Sequence, residues 1–398
     1  MINVLSDIFV VATIGYVITL FFFWLGLFFP NRRRHNKQPF ISVVIAARNE
    51  EHNIANILTD LTGQTYPSQR FEIIVVNDHS ADNTADIIDQ FCQRHKNIHL
   101  MHAVQDRSGK LTAKKNAIQQ GIAFSKGEII LTTDADCRVK SGWVETMVSY
   151  FTPEVGMVVG FSQFGAPGEK RSLFEQLQAI DFLALMTGAE GALNLGVPLS
   201  ATGQNLGYRR DAFREVGGFK RIGHRISGDD VLLLQLIHKR TNWKVRFAPE
   251  PESFNVTHPE KTVRGFFNQR KRWASNGSYQ FVLNKLFFMI CLNTLVMNLL
   301  SLTMVPVAML AGYPLTRILG CLAVKGLAEF AVVFAGARTH NRSDLVKYFP
   351  VWVVLQIPYV VYAGLLGNMG QFVWKGRTHK NLAQKRIVDA EDTATTGR

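Results

Sequence analysis

The chain has 398 residues, a formal net charge of +13 and a hydrophobic content of 47%. Its mean hydropathy of +0.05 excludes both an ordinary soluble enzyme and a pure membrane bundle, so apolar and polar residues must occupy separate stretches. Four cysteines, Cys92, Cys137, Cys291 and Cys321, form no close pair, which argues against a disulfide framework and a thiolate metal site.

Residues 8–29 carry no charge and are followed by Arg32, Arg33, Arg34 and Lys37. This order predicts a spanning helix whose C-terminal end is cytoplasmic. A signal peptide would place its basic residues before the apolar core. The chain then divides into an anchor with its basic flank (1–38), a polar domain (39–280), a second membrane region (281–376) and a polar tail (377–398).

In the polar domain, apolar runs at 40–46, 71–76, 98–104 and 129–133 predict buried strands, and the segments 51–61 and 111–124 have helical periodicity. Strands alternating with helices predict an α/β domain, a mostly parallel sheet with helices on both faces. Ligands gather at the carboxyl ends of such strands, where Glu50, Asp78 and Asp134 fall. No glycine-rich phosphate loop of the dinucleotide or P-loop type occurs in this half.

Asp134 and Asp136 leave the fourth strand one residue apart. Like charges this close raise each other's pKa, and a divalent cation, Mg²⁺ or Mn²⁺, removes the penalty while sharing its other positions with phosphate oxygens. The plain alternative for Asp136 is a helix cap or a solvated loop. Asp82 is better placed than Asp78 to cap the next helix. Lys110, Lys114 and Lys115 are either solvated helix charges or phosphate ligands. Residues 203–205 predict a tight loop into a strand and then a helix. Of the adjacent Asp229 and Asp230, one is expected at a helix N-terminus, which leaves the other free as a base.

Residues 269–273, Gln-Arg-Lys-Arg-Trp, precede the uncharged run 286–316. By itself a basic run beside a span is a topology anchor. Residues 318–337 carry only Lys325 and Glu329, four apart and able to neutralise each other on one helix face. Residues 349–374 are uncharged, with basic residues on both sides, so both flanks prefer the cytoplasm. Pro350, Pro358, Gly364, Gly367 and Gly370 predict a bend there: a re-entrant or interfacial hairpin stands against a true span. The positive charge suggests nucleic acid, but most of it flanks apolar segments, so no nucleic-acid partner is expected.

Taken in order, these motifs resemble the membrane-bound family 2 glycosyltransferases of the cellulose, chitin, hyaluronan and poly-N-acetylglucosamine synthase kind. The resemblance implies a GT-A-type nucleotide-sugar domain over about 40–280, with transmembrane helices on either side. It implies that Arg48, Glu50, Asp78, Lys110 and Asp134 bind a UDP-sugar donor and that Asp134 and Asp136 hold the metal. On the acceptor side it implies Gly203, Asn205, Asp229 and Trp273. Asp230 stands in the place of the base, and Gln269, Arg272 and Trp273 match the Gln-x-x-Arg-Trp signature in full.

The function expected from this is inverting transfer of glucose or N-acetylglucosamine to a growing β-linked polysaccharide at the membrane, with any export partner unidentified. The setting expected is a bacterial inner membrane with the catalytic domain in the cytoplasm. Ceramide glucosyltransferases carry a similar aspartate set with Gln-x-x-Arg-Trp, so a membrane-lipid acceptor is the alternative. A catalytically dead export or scaffold subunit is the more distant one.

Overall fold

The computed structural model describes residues 2–31, 37–106, 111–225, 227–369, 371–374 and 377–380. Arg32, Arg33 and Arg34 of the expected basic flank, and Lys110 of the expected donor set, lie outside the described residues.

After helix α1 (Ile2–Gly26) the chain alternates as expected through β1 (Ile41–Ala47), α2 (Ile54–Thr62), β2 (Phe71–Asn77), α3 (Thr84–Arg94), β3 (Ile98–His102), α4 (Ala113–Phe124) and β4 (Ile129–Thr132). These four strands pair in parallel, with Ile41 opposite both Phe71 and Ile129. Helices cover both faces, so all seven residues of β2 are buried and the run reads as apolar rather than alternating. Parallel register brings the strand ends to one edge, where Arg48, Asp78 and Asp134 emerge together.

The chain continues through β5 (Arg138–Val139), α5 (Trp143–Val148), β6 (Val155–Gly160), β7 (Ser162–Phe164), α6 (Leu173–Asn194), β8 (Leu206–Arg209), α7 (Arg210–Glu215), α8 (Val231–Arg240), β9 (Lys244–Ala248) and β10 (Asn255–Thr257). The main sheet has the order β3-β2-β1-β4-β8-β6-β9, and β5, β10 and β7 form a small second sheet. β8 runs antiparallel to both β4 and β6, a reversal that periodicity does not reveal. Its functional consequence is direct: Leu206, the first residue of β8, pairs with Thr132, the last of β4. The loop ahead of β8 therefore starts at the edge where the parallel strands end, beside Asp134.

α6 begins with a capping box, in which Ser172 and Glu175 exchange side-chain and backbone hydrogen bonds. It connects the sheet domain to the apolar helices. α6 and α1 pack so closely that a Cβ at Gly26 would strike the backbone of Gly191, and a Cβ at Gly191 the backbone of Phe23.

The last elements are α9 (Val263–Ala274), α10 (Gln280–Leu283), α11 (Lys285–Leu310), α12 (Thr316–Thr339), α13 (Phe349–Met369) and a hairpin of β11 (Gln371–Trp374) with β12 (Arg377–Lys380). Four segments, Ile2–Gly26, Lys285–Leu310, Thr316–Thr339 and Ser343–Gly367, are long and apolar enough to cross a membrane. Lys325 and Glu329 pair at 2.6 Å on α12, both buried, and the Tyr16 hydroxyl of α1 donates to the same glutamate.

The bend expected within 349–374 is replaced by one uninterrupted helix over Phe349–Met369, with Pro358 inside it. Side contacts with α9 and α11 hold this helix: the rings of Phe266 and Tyr359 stand 5.2 Å apart, and Gly364 faces Leu295. α13 runs alongside α9 in the same direction, with Phe266 beside Tyr359, Phe267 beside Tyr362, and Ala274 against Gly367.

Candidate active site

Three groups of residues converge on a cavity of about 1280 Å³ at the carboxyl edge of the sheet. The first comes from the ends of β1 and β2. Asn49 and His79 take left-handed backbone angles (φ of 52° and 56°), which turn the chain sharply as each strand ends. The two loops interlock: Asn49 N–H donates to Ser80 Oγ, and Ala81 N–H donates to Asn49 Oδ1. The N-cap position of α3 is Asn83, with no side-chain capping bond, and Asp82 just ahead of it accepts from Thr84 N–H and O–H in a local turn. Asp78 is thereby left to face Arg48 at 3.7 Å, and Arg48, Glu50 and Asp78 all line the cavity. Glu50 also accepts from Asn53 Nδ2.

The second group leaves β4. Asp134 and Asp136 alternate with the buried Ala135 and Cys137, so both carboxylates turn toward the cavity. Asp136 caps no helix; the short strand β5 follows it. Lys114, in the first turn of α4, reaches Asp134 at 2.7 Å and Asp229 at 3.1 Å. Burial works against the ammonium, but Asp134 and Asp229 more than offset it and hold its pKa well above the ordinary lysine range. Of the three lysines singled out, Lys114 is the described one whose ammonium lies among the aspartates that line the cavity.

The third group surrounds Asp229 and Asp230. Gly228 has φ of +91°, a conformation that side chains disfavour, and it swings the two aspartates into the cavity. Lys115 fastens this loop from behind, donating to the carbonyls of Arg225 and Ser227. Burial pulls its pKa down to about 8. Asp230 caps α8, with Oδ1 accepting from Val231 N–H at 2.6 Å and Oδ2 from Gly203 N–H at 2.9 Å.

The two aspartates titrate in opposite directions. Burial raises both, but Lys114 and Lys115 outweigh it at Asp229 and bring that carboxyl down to about 2. At Asp230 burial and the Asp229 charge prevail over the two backbone donors, so its pKa is raised. Neighbouring carboxylates pushed apart in this way suit one to hold charge and the other to accept a proton. Each Asp230 oxygen keeps a second lone pair for an acceptor hydroxyl.

Gly203 fits against this pair closely. A Cβ there would lie 3.2 Å from Asp229 Oδ2 and 3.5 Å from Asp230 Oδ2. Asn205 is placed elsewhere: fully buried, it accepts from Trp143 Nε1 and donates to the carbonyls of Phe161 and Ser253. With both ends of its amide committed to the interior, it holds the loop in shape and does not line the cavity.

α9 forms the remaining wall. Gln269, Arg272 and Trp273 lie three and four residues apart, hence on one face, and all line the cavity. Gln269 Oε1 is buried and has no hydrogen-bond partner among the described residues. Burial lowers the Arg272 pKa, opposed by Asp229, Asp230 and Asp134. Ser227 Oγ donates to the Arg272 carbonyl and Arg225 Nη2 to that of Ser275, tying the end of α9 to the aspartate loop.

Sequence reading missed Arg270. Its guanidinium pairs with Asp181 of α6 at 2.6 Å, both buried, and lies 4.3 Å over the Trp273 ring. Tyr359 and Trp352 of α13 also donate to Asp181. A carboxylate flanked on both sides by apolar residues, Ala179 and Ile180 before it and residues 182–186 after it, was the available signal.

Among the described residues no group of three or more His, Cys, Asp or Glu side chains is positioned as a closed metal cage. Asp134 and Asp136 instead present hard oxygen donors on one side. That donor set fits a divalent cation completing its coordination with phosphate oxygens and water.

The glycosyl transferase family 21 model matches residues 5–387. Among curated relatives, a β-monoglucosyldiacylglycerol synthase of Trichormus variabilis is 26% identical over 264 residues, 65% of this chain and 54% of the relative. A poly-β-1,6-N-acetyl-D-glucosamine synthase of Staphylococcus epidermidis is 25% identical over 249 residues, 62% of this chain and 56% of the relative. The chain thus spans little more than half the length of the curated relatives it matches. A mannosyltransferase from Pyrobaculum calidifontis, solved with GDP-Man and Mn²⁺, superposes with a TM-score of 0.60 at 18% identity, covering 92% of this chain and 98% of that one. The likeness confirms the GT-A-type architecture, and with its aspartate stations and its Gln-x-x-Arg-Trp helix the chain belongs to glycosyl transferase family 21.

Proposed function

We propose that this protein transfers a sugar from a UDP-sugar, with inversion, to a hydroxyl group of a membrane lipid. One observation carries the choice of acceptor. The cavity holding Asp134, Asp136 and Asp230 continues without a break between the apolar helices, where Phe23 of α1, Leu292 and Leu295 of α11, Val332 of α12 and Val360 of α13 line it. An apolar chain entering from the bilayer fits such walls, and its polar end then lies at the aspartates.

In the reaction the acceptor oxygen bonds to the anomeric carbon as the bond from that carbon to the diphosphate breaks. Asp230 takes the hydroxyl proton, and its raised pKa strengthens it as a base. Arg272 supplies positive charge to the departing diphosphate. A divalent cation, Mg²⁺ or Mn²⁺, held by Asp134 and Asp136 would add Lewis-acid charge to the same group. Attack by one activated nucleophile opposite the leaving group inverts the anomeric centre. Gln269 Oε1 is available to orient the acceptor, and Trp273 lines the same cavity. The protein would sit in a membrane with the aspartates on the cytoplasmic side, consistent with Arg338 in the last turn of α12 and Arg342 and Lys347 between α12 and α13.

The test is partition of product. Membranes containing the protein are given radiolabelled UDP-glucose or UDP-N-acetylglucosamine with Mn²⁺, and label is expected in the solvent-extractable lipid fraction. Label confined to insoluble polymer favours a polysaccharide acceptor and overturns the lipid reading. Absence of label in both fractions overturns transfer from these donors.

A further inference from the structure

The signature run 269–273 on α9 contains two arginines, and their surroundings differ. Arg272 lies under the charges of Asp229, Asp230 and Asp134 at the transfer site. Arg270 pairs instead with Asp181 of α6 at 2.6 Å, and both of these side chains are 4% exposed. Successive residues of an α-helix are about 100° apart, so the two arginines leave α9 about 200° apart around its axis, on opposite sides. Fixing one of them to α6 therefore fixes the direction of the other.

The hold on α9 comes from consecutive residues of α6. Asp181 takes Arg270, and the ring of Phe182 lies 5.9 Å from that of Trp273, over which the Arg270 guanidinium sits at 4.3 Å. One turn earlier, Phe266 meets Phe174 of α6 at 5.9 Å. Phe266, Arg270 and Trp273 thus form the face of α9 that α6 meets. Asp181 is itself anchored, since its Oδ1 accepts from Trp352 Nε1 at 3.2 Å and from the Tyr359 hydroxyl, both of α13. Two donors fix one oxygen, and the other is left to the guanidinium. A buried ion pair is often no more stabilising than apolar residues of the same volume, so stability alone does not account for this one. What the carboxylate adds over a leucine is a direction for the arginine.

We propose that Asp181 is a positioning residue for the transfer reaction: by holding Arg270 against α6 it sets the rotation of α9, and so aims Arg272 at the departing diphosphate. Without that anion the carboxylates of the transfer site attract either guanidinium of the signature run. The inference rests on the role given to Arg272 above and is independent of whether lipid or polymer receives the sugar.

Membranes containing the full-length protein are given radiolabelled UDP-glucose or UDP-N-acetylglucosamine with Mn²⁺, and label is counted in lipid and polymer together. In the double variant Arg270→Met with Asp181→Leu, which keeps the volume and drops both charges, kcat is expected to fall by about a hundredfold, the scale of a misplaced group, while KM for the sugar nucleotide changes by less than about threefold. The decisive reading is the effect of removing Arg272 in each background. Arg272→Ala should lower kcat by about a hundredfold in the otherwise wild-type protein and by less than about threefold in the double variant, because a guanidinium that no longer faces the diphosphate contributes little. A pair that serves stability alone leaves the two effects equal. Asp181→Asn provides a second background should the double variant fail to fold: its amide oxygen still accepts from Trp352 and Tyr359, no anion faces Arg270, and kcat is expected to fall by about tenfold. An Arg272→Ala effect that is the same in all backgrounds, or full kcat in Asp181→Asn, overturns the positioning role alone. Full turnover by Arg272→Ala in the otherwise wild-type protein overturns the role of Arg272 and the positioning together.

Discussion

Replacing Lys114 with methionine removes the one charge that holds Asp134 and Asp229 together while leaving a side chain of similar length. At an effective dielectric of about 20, contacts of 2.7 and 3.1 Å correspond to roughly 6 and 5 kcal/mol of gross Coulomb attraction. Desolvation of three largely buried ions offsets most of this. The net loss on breaking such a set is about 3–5 kcal/mol, because the surviving carboxylates are left unpaired. Against a total stability of about 5–15 kcal/mol this is a large fraction, equivalent to a fall of about 5–15 °C in the unfolding midpoint. Tryptophan fluorescence of the detergent-purified protein reads it, with and without Mn²⁺. A cation at Asp134 and Asp136 replaces the lost charge, so Mn²⁺ should raise the variant's midpoint more than the wild type's. A variant that melts within about 1 °C of the wild type in the absence of cation would falsify the central role given to Lys114.

Asp230→Asn is expected to reduce transfer by at least about a hundredfold while nucleotide retention on a UDP matrix is unchanged, since the amide keeps the cap but cannot take a proton. In Asp229→Asn the negative charge that helps raise Asp230 is gone, so the acid limb of the kcat/KM profile should move to lower pH; an unmoved limb, or one shifted upward, contradicts the coupling of the two aspartates. Arg270→Ala strands Asp181 in the interior and should cost about 3–5 kcal/mol of stability, whereas the double variant Arg270→Met with Asp181→Leu should recover most of it; equal loss in both, by thermal unfolding, contradicts a buried pair. α9 carries four charges, Arg264, Arg270, Lys271 and Arg272, too many for a helix crossing lipid, and α13 runs beside it in parallel. A cysteine placed after the last residue is accordingly expected to react with a membrane-impermeant maleimide only from the cytoplasmic side, and labelling from the opposite side places α13 across the membrane.

Much of the first half was legible because each of its signals is local. Ile41–Ala47, Phe71–Asn77, Ile98–His102 and Ile129–Thr132 are short apolar runs, and strands covered on both faces need no other mark. Gln269, Arg272 and Trp273 share a face because helical spacing requires it. The pairing of Lys325 with Glu329 followed from the same rule, four residues along one helix. Asn205 was misleading because its sequence context, a glycine-bearing loop before a strand, is equally that of a binding loop and of an interior brace. Only its three buried hydrogen bonds distinguish the two. The hairpin expected around Pro358 did not form, since neighbours on α9 and α11 support an uninterrupted helix that the prolines and glycines alone do not favour.

The sequence by itself determined the long apolar helix α1, the α/β alternation, the aspartate stations and the signature helix, all of which depend on residues within a few positions of each other. Tertiary structure alone decided that β8 runs backward and so brings Gly203 to Asp230, and that Lys114 bridges Asp134 and Asp229. It likewise decided that Asp181 anchors Arg270, and that the cleft opens between apolar helices. Those contacts join residues distant along the chain, and their energies come from burial and charge in a shared low-dielectric space, which no local pattern records.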